Sequence, residues 1–138
     1  MRVVYIAGPF RGNSAWEIEN NVRRAEETAL TVWRMGAVAL CPHANTRFFS
    51  GAAPDEVWLT GDLELLQRCD AVYLTLGWEN STGTFEEIIH ACNLGIPVFE
   101  FEASVRLWLT YGIIDEIQSQ IKAKAIQLSA ARRAKAGP

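Results

Sequence analysis

The chain has 138 residues, 49% of them apolar and 21% charged. That is enough chain to bury one core, and the composition is far from that of a disordered segment. Three cysteines without close spacing (Cys41, Cys69, Cys92) exclude a disulfide framework, and a net charge of −3 argues against binding to a nucleic-acid duplex.

Residues 2–7 are a near-continuous apolar run stopped by Gly8-Pro9, which predicts a strand buried on both faces. Ser14 and Glu17 have capping-box spacing and open a long helix to about Met35, ended by Gly36. Ala37 to Cys41 reads as a second strand stopped by Pro42, and 43–53 as an irregular loop. A helical stretch runs from Pro54 to about Cys69, with Gly61 as a place where it could break and Asp62 reopen it. Ala71 to Leu76 is the third strand, Gly77 to Gly83 a loop, Thr84 to Asn93 a helix, and Ile96 to Phe101 the fourth strand. The rest is mostly helical, interrupted near Gly112. Ile113, Ile114, Ile117, Ile121 and Leu128 form an apolar stripe there, suited to self-association.

Such alternation predicts an α/β fold: a three-layer, Rossmann/flavodoxin-like parallel sheet of four or five strands with helices on both faces, in the order 2-1-3-4. All of 1–138 reads as a single domain, closed by a basic C-terminal helix over about 113–138 that frays at its end. Charge is divided unevenly: residues 1–103 carry seven Arg, no Lys and 14 acids, whereas 104–138 carry six bases and two acids. Lys122, Lys124, Arg132, Arg133 and Lys135 read as a solvated helix end whose bases complement the dipole, the competing reading being a polyanion-binding tail. The start lacks a signal-peptide layout and no apolar run is long enough to span a membrane. The expectation is a soluble, cytoplasmic protein with neither a membrane nor a nucleic-acid partner.

In a sheet of this kind ligands bind beyond the carboxyl ends of the strands. Four segments should meet there: Gly8 to Gly12, Pro42-His43, Gly77 to Gly83, and the end of the fourth strand near Glu100, Glu102 and Ser104. Gly8 to Gly12, with Phe10 and Arg11, has glycines that allow close backbone approach to an anion; the competing reading is a tight strand–helix turn. His43 follows Pro42, and is equally compatible with the surface. Ser81, Gly83 and Glu87 lie where the third strand passes into its helix, but Thr84 and Glu87 also have capping-box spacing. Asp62 reads either as a cleft carboxylate or as an N-cap. Trp78 is the tryptophan best placed to stack on a base, and the three cysteines read as buried, inert thiols.

Together these segments resemble the nucleoside 2-deoxyribosyltransferase superfamily, which includes the 2′-deoxynucleoside 5′-monophosphate N-glycosidases. The likeness covers about residues 3–100 and rests on four spaced pieces: Tyr5 to Gly12, Pro42-His43, Asp62 to Leu66 with Cys69-Asp70-Ala71, and Ser81-x-Gly83-x-x-x-Glu87. It implies that Glu87 is the nucleophile at the anomeric carbon, that Tyr5 orients it, and that Asp62 assists departure of the base. It implies contacts from Ser81 and Gly83 to sugar or phosphate. Arg11-Gly12 is similar to the monophosphate glycosidases, whereas Gly8-Pro9-Phe10 is similar to the transferases. It further implies a homo-oligomer, dimer or higher, with shared sites, and Ser104 is the candidate contributed to a neighbouring subunit.

The chemistry is coherent with those residue types. Cleavage of an N-glycosidic bond passes through an oxocarbenium-like transition state that a carboxylate traps as an ester, while an acid helps the base leave. Neither a metal nor a cofactor is required, and the sequence holds no metal-ligand cluster. The expected activity is hydrolysis of a (deoxy)nucleoside 5′-monophosphate. Its rivals are base exchange between nucleosides, and a nucleotide-binding or sensing domain without turnover.

Overall fold

The computed structural model describes residues 1–114 and 118–137. Its four strands are β1 (Val3–Ala7), β2 (Val38–Leu40), β3 (Ala71–Leu74) and β4 (Val98–Phe99). Every pairing is parallel and the order is β2-β1-β3-β4. The order reverses beside β1, so the ends of β1 and β3 diverge into a crevice. β4 is much shorter than the apolar run 96–101 suggests.

Strand alternation sorts β1 between two cores. Val4 and Ile6 face one side, with Ala25, Ala29 and Val32 of α1 (Ala15–Arg34) and Val105 and Trp108 of α5 (Glu102–Tyr111). Tyr5 and Ala7 face the other, with Leu66 of α3 (Asp55–Leu66), Phe85, Ile88 and Ala91 of α4 (Thr82–Asn93), and Ile121 and Ala125 of α6 (Gln118–Ala136). A strand buried on both faces has no room for the usual polar alternation, which is why β1 reads as a continuous apolar run.

Four local expectations change. Pro42 opens a single helical turn, α2 (Pro42–Asn45), because proline is preorganised for a first helical position. α3 runs unbroken through Gly61, so Asp62 is an interior helical residue and not an N-cap. Ser81 caps α4, its hydroxyl accepting from the Thr84 amide at 3.2 Å; Glu87 is therefore not the partner in a capping box. The C-terminal stripe also divides. Ile121 and Ala125 are buried against α4 and Leu128 packs beside them, Ile113 and Ile114 are exposed and outside any helix, and Ile117 lies outside the described residues. The middle of the stripe is spent on the chain's own core, not on a second copy.

α6 is docked by its bases. Lys122 donates to Asn93 at 2.8 Å, and Lys124 meets Glu79 at 3.2 Å and lies over the Trp78 ring. These charges are not simply solvated. No helix among the described residues is long and apolar enough to cross a membrane.

Candidate active site

A cleft of about 580 Å³ opens at the carboxyl edge of the sheet, within the range for a small-molecule site. Of the residues singled out in the sequence, Gly8, Phe10, Arg11, Gly12, His43, Asp62, Ser81, Gly83 and Glu87 all line it. Tyr5 lies beneath, fully buried in the sheet.

The floor is a hydrogen bond from the Tyr5 hydroxyl to Glu87 Oε1, 2.7 Å long. It joins the central strand to α4 across 82 residues of sequence. Burial pushes the Glu87 carboxyl up to about 8, against the lowering effect of Tyr5, and the charges of Asp62 and Glu86 raise it further. Burial likewise raises Asp62 to about 6. Desolvation, with Glu87 and Asp62 nearby, drives the Tyr5 phenol far above its ordinary range, so it stays a donor. Around pH 7 the Glu87 carboxyl therefore keeps its proton while Asp62 is mostly ionised.

The β1–α1 corner forms one wall, and its polar groups face inward. His43 Nε2 lies 3.0 Å from the Gly8 carbonyl and 2.9 Å from that of Pro9. Carbonyls only accept, so Nε2 carries the hydrogen. Burial holds the imidazole below its usual pKa, hence neutral. Asn21 Nδ2 donates to the next two carbonyls, Phe10 at 3.2 Å and Arg11 at 3.1 Å. The glycines answer to packing: a Cβ on Gly8 would stand 1.8 Å from Thr75 Oγ1, and one on Gly12 2.5 Å from Glu17 Cβ. Glycine here serves a tight strand–helix turn. Arg11 is exposed and pairs with Asp55 at 2.6 Å.

The opposite wall is α3 and the start of α4. Asp55, Trp58, Leu59 and Asp62 recur at helical spacing, and all line the cleft. Among the described residues the indole nitrogen of Trp58 is buried without a hydrogen-bond partner, as is the hydroxyl of Thr84. Gly83 and Glu87 are one turn apart on the same face of α4. A Cβ on Gly83 would meet nothing nearer than Leu59 Cδ2 at 4.0 Å, so this glycine leaves open space in front of the carboxyl.

Some expectations fall elsewhere. Trp78 is a core residue: it is buried, donates to Glu100 Oε1 at 3.2 Å and packs edge-on against Phe85. Trp58 takes the place beside the cleft. His43 is buried rather than superficial. Ser104 is buried in the first turn of α5 and does not line the cleft of its own chain.

Asn21, Trp58, Thr84 and Arg132 were not legible as site residues, yet for two of them a signal existed. Trp58 falls on the 55-58-59-62 face once α3 is known to run unbroken through Gly61. Arg132 continues the Ile121, Ala125, Leu128 periodicity by one more turn. Among the described residues, no group of three His, Cys, Asp or Glu could hold a metal ion.

The 2-deoxyribosyltransferase of the psychrotolerant bacterium Bacillus psychrosaccharolyticus is similar in structure. The TM-score is 0.53 at 23% identity, covering 70% of this chain and 69% of that one; at this identity the likeness is one of fold. No curated protein matches the sequence. The model of a domain of unknown function, DUF7768, matches residues 2–101, which include every residue of the Tyr5, Asp62 and Glu87 constellation, and the chain belongs to that family.

Proposed function

We propose that the protein cleaves the N-glycosidic bond of a (deoxy)nucleoside 5′-monophosphate, releasing the free base and a sugar 5-phosphate. The observation that carries this reading is the Tyr5–Glu87 hydrogen bond at the floor of a cleft that also holds Asp62. A buried carboxyl oriented by a buried phenol, and facing open space over Gly83, is the arrangement a glycosyl nucleophile requires.

In the reacting state Asp62 is protonated and Glu87 has given up its proton and is ionised. A Glu87 oxygen bonds to C1′ as the C1′–N bond breaks. The bonding pair leaves with the base, which takes the Asp62 proton. Water then attacks C1′, gives a proton to Asp62, and the ester oxygen returns to Glu87 as carboxylate. Tyr5 keeps its proton throughout and steadies the carboxylate by donation. Trp58, Phe10 and His43 supply the flat and apolar surface against which a base can lie.

A transferase reading shares the first half and replaces water by a second base. The fold likeness to a 2-deoxyribosyltransferase favours it. Chromatography of released base decides. The protein meets a panel of ribo- and deoxyribonucleoside monophosphates and their nucleosides, with and without an acceptor base. Release from a monophosphate in water alone, lost in Glu87→Ala, supports hydrolysis. Release only with an acceptor base moves the assignment to transfer, and no release under either condition overturns both.

A further inference from the structure

We propose that Arg132, on the C-terminal helix α6, binds the anionic group of the substrate and sets the preference for a nucleotide over a nucleoside. This deepens the glycosidase reading and rests on it for the identity of the anion. Arg132 lines the cleft, outside the residues 2–101 that the family model matches.

The cleft holds two arginines in different circumstances. Arg11 is met by Asp55 at 2.6 Å, so its charge is largely answered. Arg132 has no carboxylate partner among the described residues. Its Nη1 donates to the Thr82 hydroxyl at 3.1 Å, and its guanidinium carbon stands 5.5 Å from the centroid of the Phe85 ring. Both contacts orient the guanidinium and neither neutralises it, so four of its five N–H donors are left for a ligand.

Its position is also suited to the task. Thr82 is the first residue of α4, a twelve-residue helix whose leading amides favour an anion. The unpartnered Thr84 hydroxyl lines the same corner. From Thr82 to Glu87 the helix rises about 7.5 Å, and the side chain of Glu87 leans back toward the N-terminus. That separation suits a pentose whose C1′ meets Glu87 and whose 5′-phosphate reaches Arg132, passing over Gly83. The acids lining the cleft do not pair with this site: Asp55 is spent on Arg11, and among the described residues neither Asp62, Glu86 nor Glu87 forms an ion pair with Arg132.

The test is calorimetric titration in a Glu87→Gln background, which leaves the ligand intact. The probes are the common nucleoside 5′-monophosphates and their parent nucleosides. Arg132→Gln keeps a donor for Thr82 and removes the charge, Arg132→Lys keeps the charge, and Arg11→Gln serves as comparison. The expected result is about a 10- to 100-fold loss of monophosphate affinity in Arg132→Gln, with at least tenfold less effect on the nucleoside and partial recovery in Arg132→Lys. Equal loss on both ligands, a larger loss in Arg11→Gln, or no preference for the monophosphate before substitution overturns the proposal. A reading that needs no substitution is protection of Arg132 from phenylglyoxal, followed by peptide mass spectrometry. A monophosphate should shield it and a nucleoside should not; an unshielded Arg132 overturns the proposal. Failure of the glycosidase reading looks different: a monophosphate binds through Arg132, yet the unmutated protein releases no base.

Discussion

Two strand-to-helix corners face each other across the cleft, and they differ in how their polar groups are satisfied. At the β1–α1 corner four successive carbonyls are taken by His43 and Asn21, the glycines are filled by Thr75 and Glu17, and Arg11 is paired with Asp55. At the β3–α4 corner a carboxyl stands far above its ordinary pKa and, among the described residues, the Thr84 hydroxyl has no partner and Arg132 no counter-charge. The backbone carbonyls of the first corner are saturated, His43 Nδ1 being its buried atom without a partner among the described residues, and the corner acts as a wall. The second carries unspent interactions, which is where the proposed function has a substrate gain binding energy and react. Substitutions in the two corners should therefore fail in different ways: stability in the first, turnover in the second.

The largest effect belongs to Glu87. Glu87→Gln should reduce base release by at least about a thousandfold, as expected for loss of a covalent nucleophile. It should also change how stability depends on pH. The folded carboxyl keeps its proton up to about pH 8, whereas the unfolded chain releases it near 4.5. Between those values the native state binds more protons, so stability falls as pH rises. Asp62 contributes the same sign up to about pH 6, so the fall between about 6 and 8 belongs to Glu87. Thermal unfolding across that window should show a decline in the unmutated protein and a flatter profile in Glu87→Gln. Parallel profiles would mean that Glu87 is ionised in the fold.

Gly8→Ala tests the saturated corner. Its new methyl would overlap Thr75, itself buried, at a cost of about 1–3 kcal/mol, read by denaturant unfolding. Thr75→Ala in the same chain removes the nearest atom and should recover part of that loss. Strict additivity of the two would show that the contact at Gly8 is not the cause.

These two residues also show how far the sequence could be read. The apolar runs, the capping pair Ser14 and Glu17, and the β-α alternation specify layers and strand order, because they act locally or through fixed handedness. Tyr5, Asp62 and Glu87 were readable as a set through family likeness. Their geometry was not, since a hydrogen bond spanning 82 residues leaves no local periodic trace. The role of Gly8 stays open between anion approach and a tight turn, because a glycine in a sequence does not say which neighbour crowds it. Trp78 is the tryptophan the sequence points to because it lies in the loop before Ser81, whereas the break that Gly61 allows hides the face that Trp58 shares with Asp62. Arg132 was grouped with its basic neighbours, although it alone continues the buried stripe of α6 into the cleft.

Tyr5→Phe should have an intermediate effect on turnover, about 10- to 100-fold, with a structural loss of roughly 1 kcal/mol for one buried hydrogen bond. The sharper readout is the pH profile of kcat/KM. With apparent values of about 6 and about 8, base release should peak between them. Tyr5 lowers the Glu87 value by donating to it, so Tyr5→Phe should move the upper limb to higher pH. An unmoved limb would mean that the phenol does not touch the reacting carboxyl.

The smallest effects should come from the groups that hold the wall. Asn21→Ala leaves two carbonyls without their donor and should cost about 1 kcal/mol, with a rise in KM greater than any fall in kcat, because the Phe10–Arg11 segment lines the cleft without reaching the reacting bond. Arg11→Ala should do less still. Its pair with Asp55 is solvent-exposed and worth under about 1 kcal/mol. If Arg11 is only part of the wall, its removal changes the KM for a monophosphate and for a nucleoside by similar, small factors in steady-state assays. A selective loss on the monophosphate would show that the Arg11–Asp55 pair opens to receive the phosphate. In that event the β1–α1 corner would no longer be the saturated one, and the division of labour between the two corners would have to be reversed.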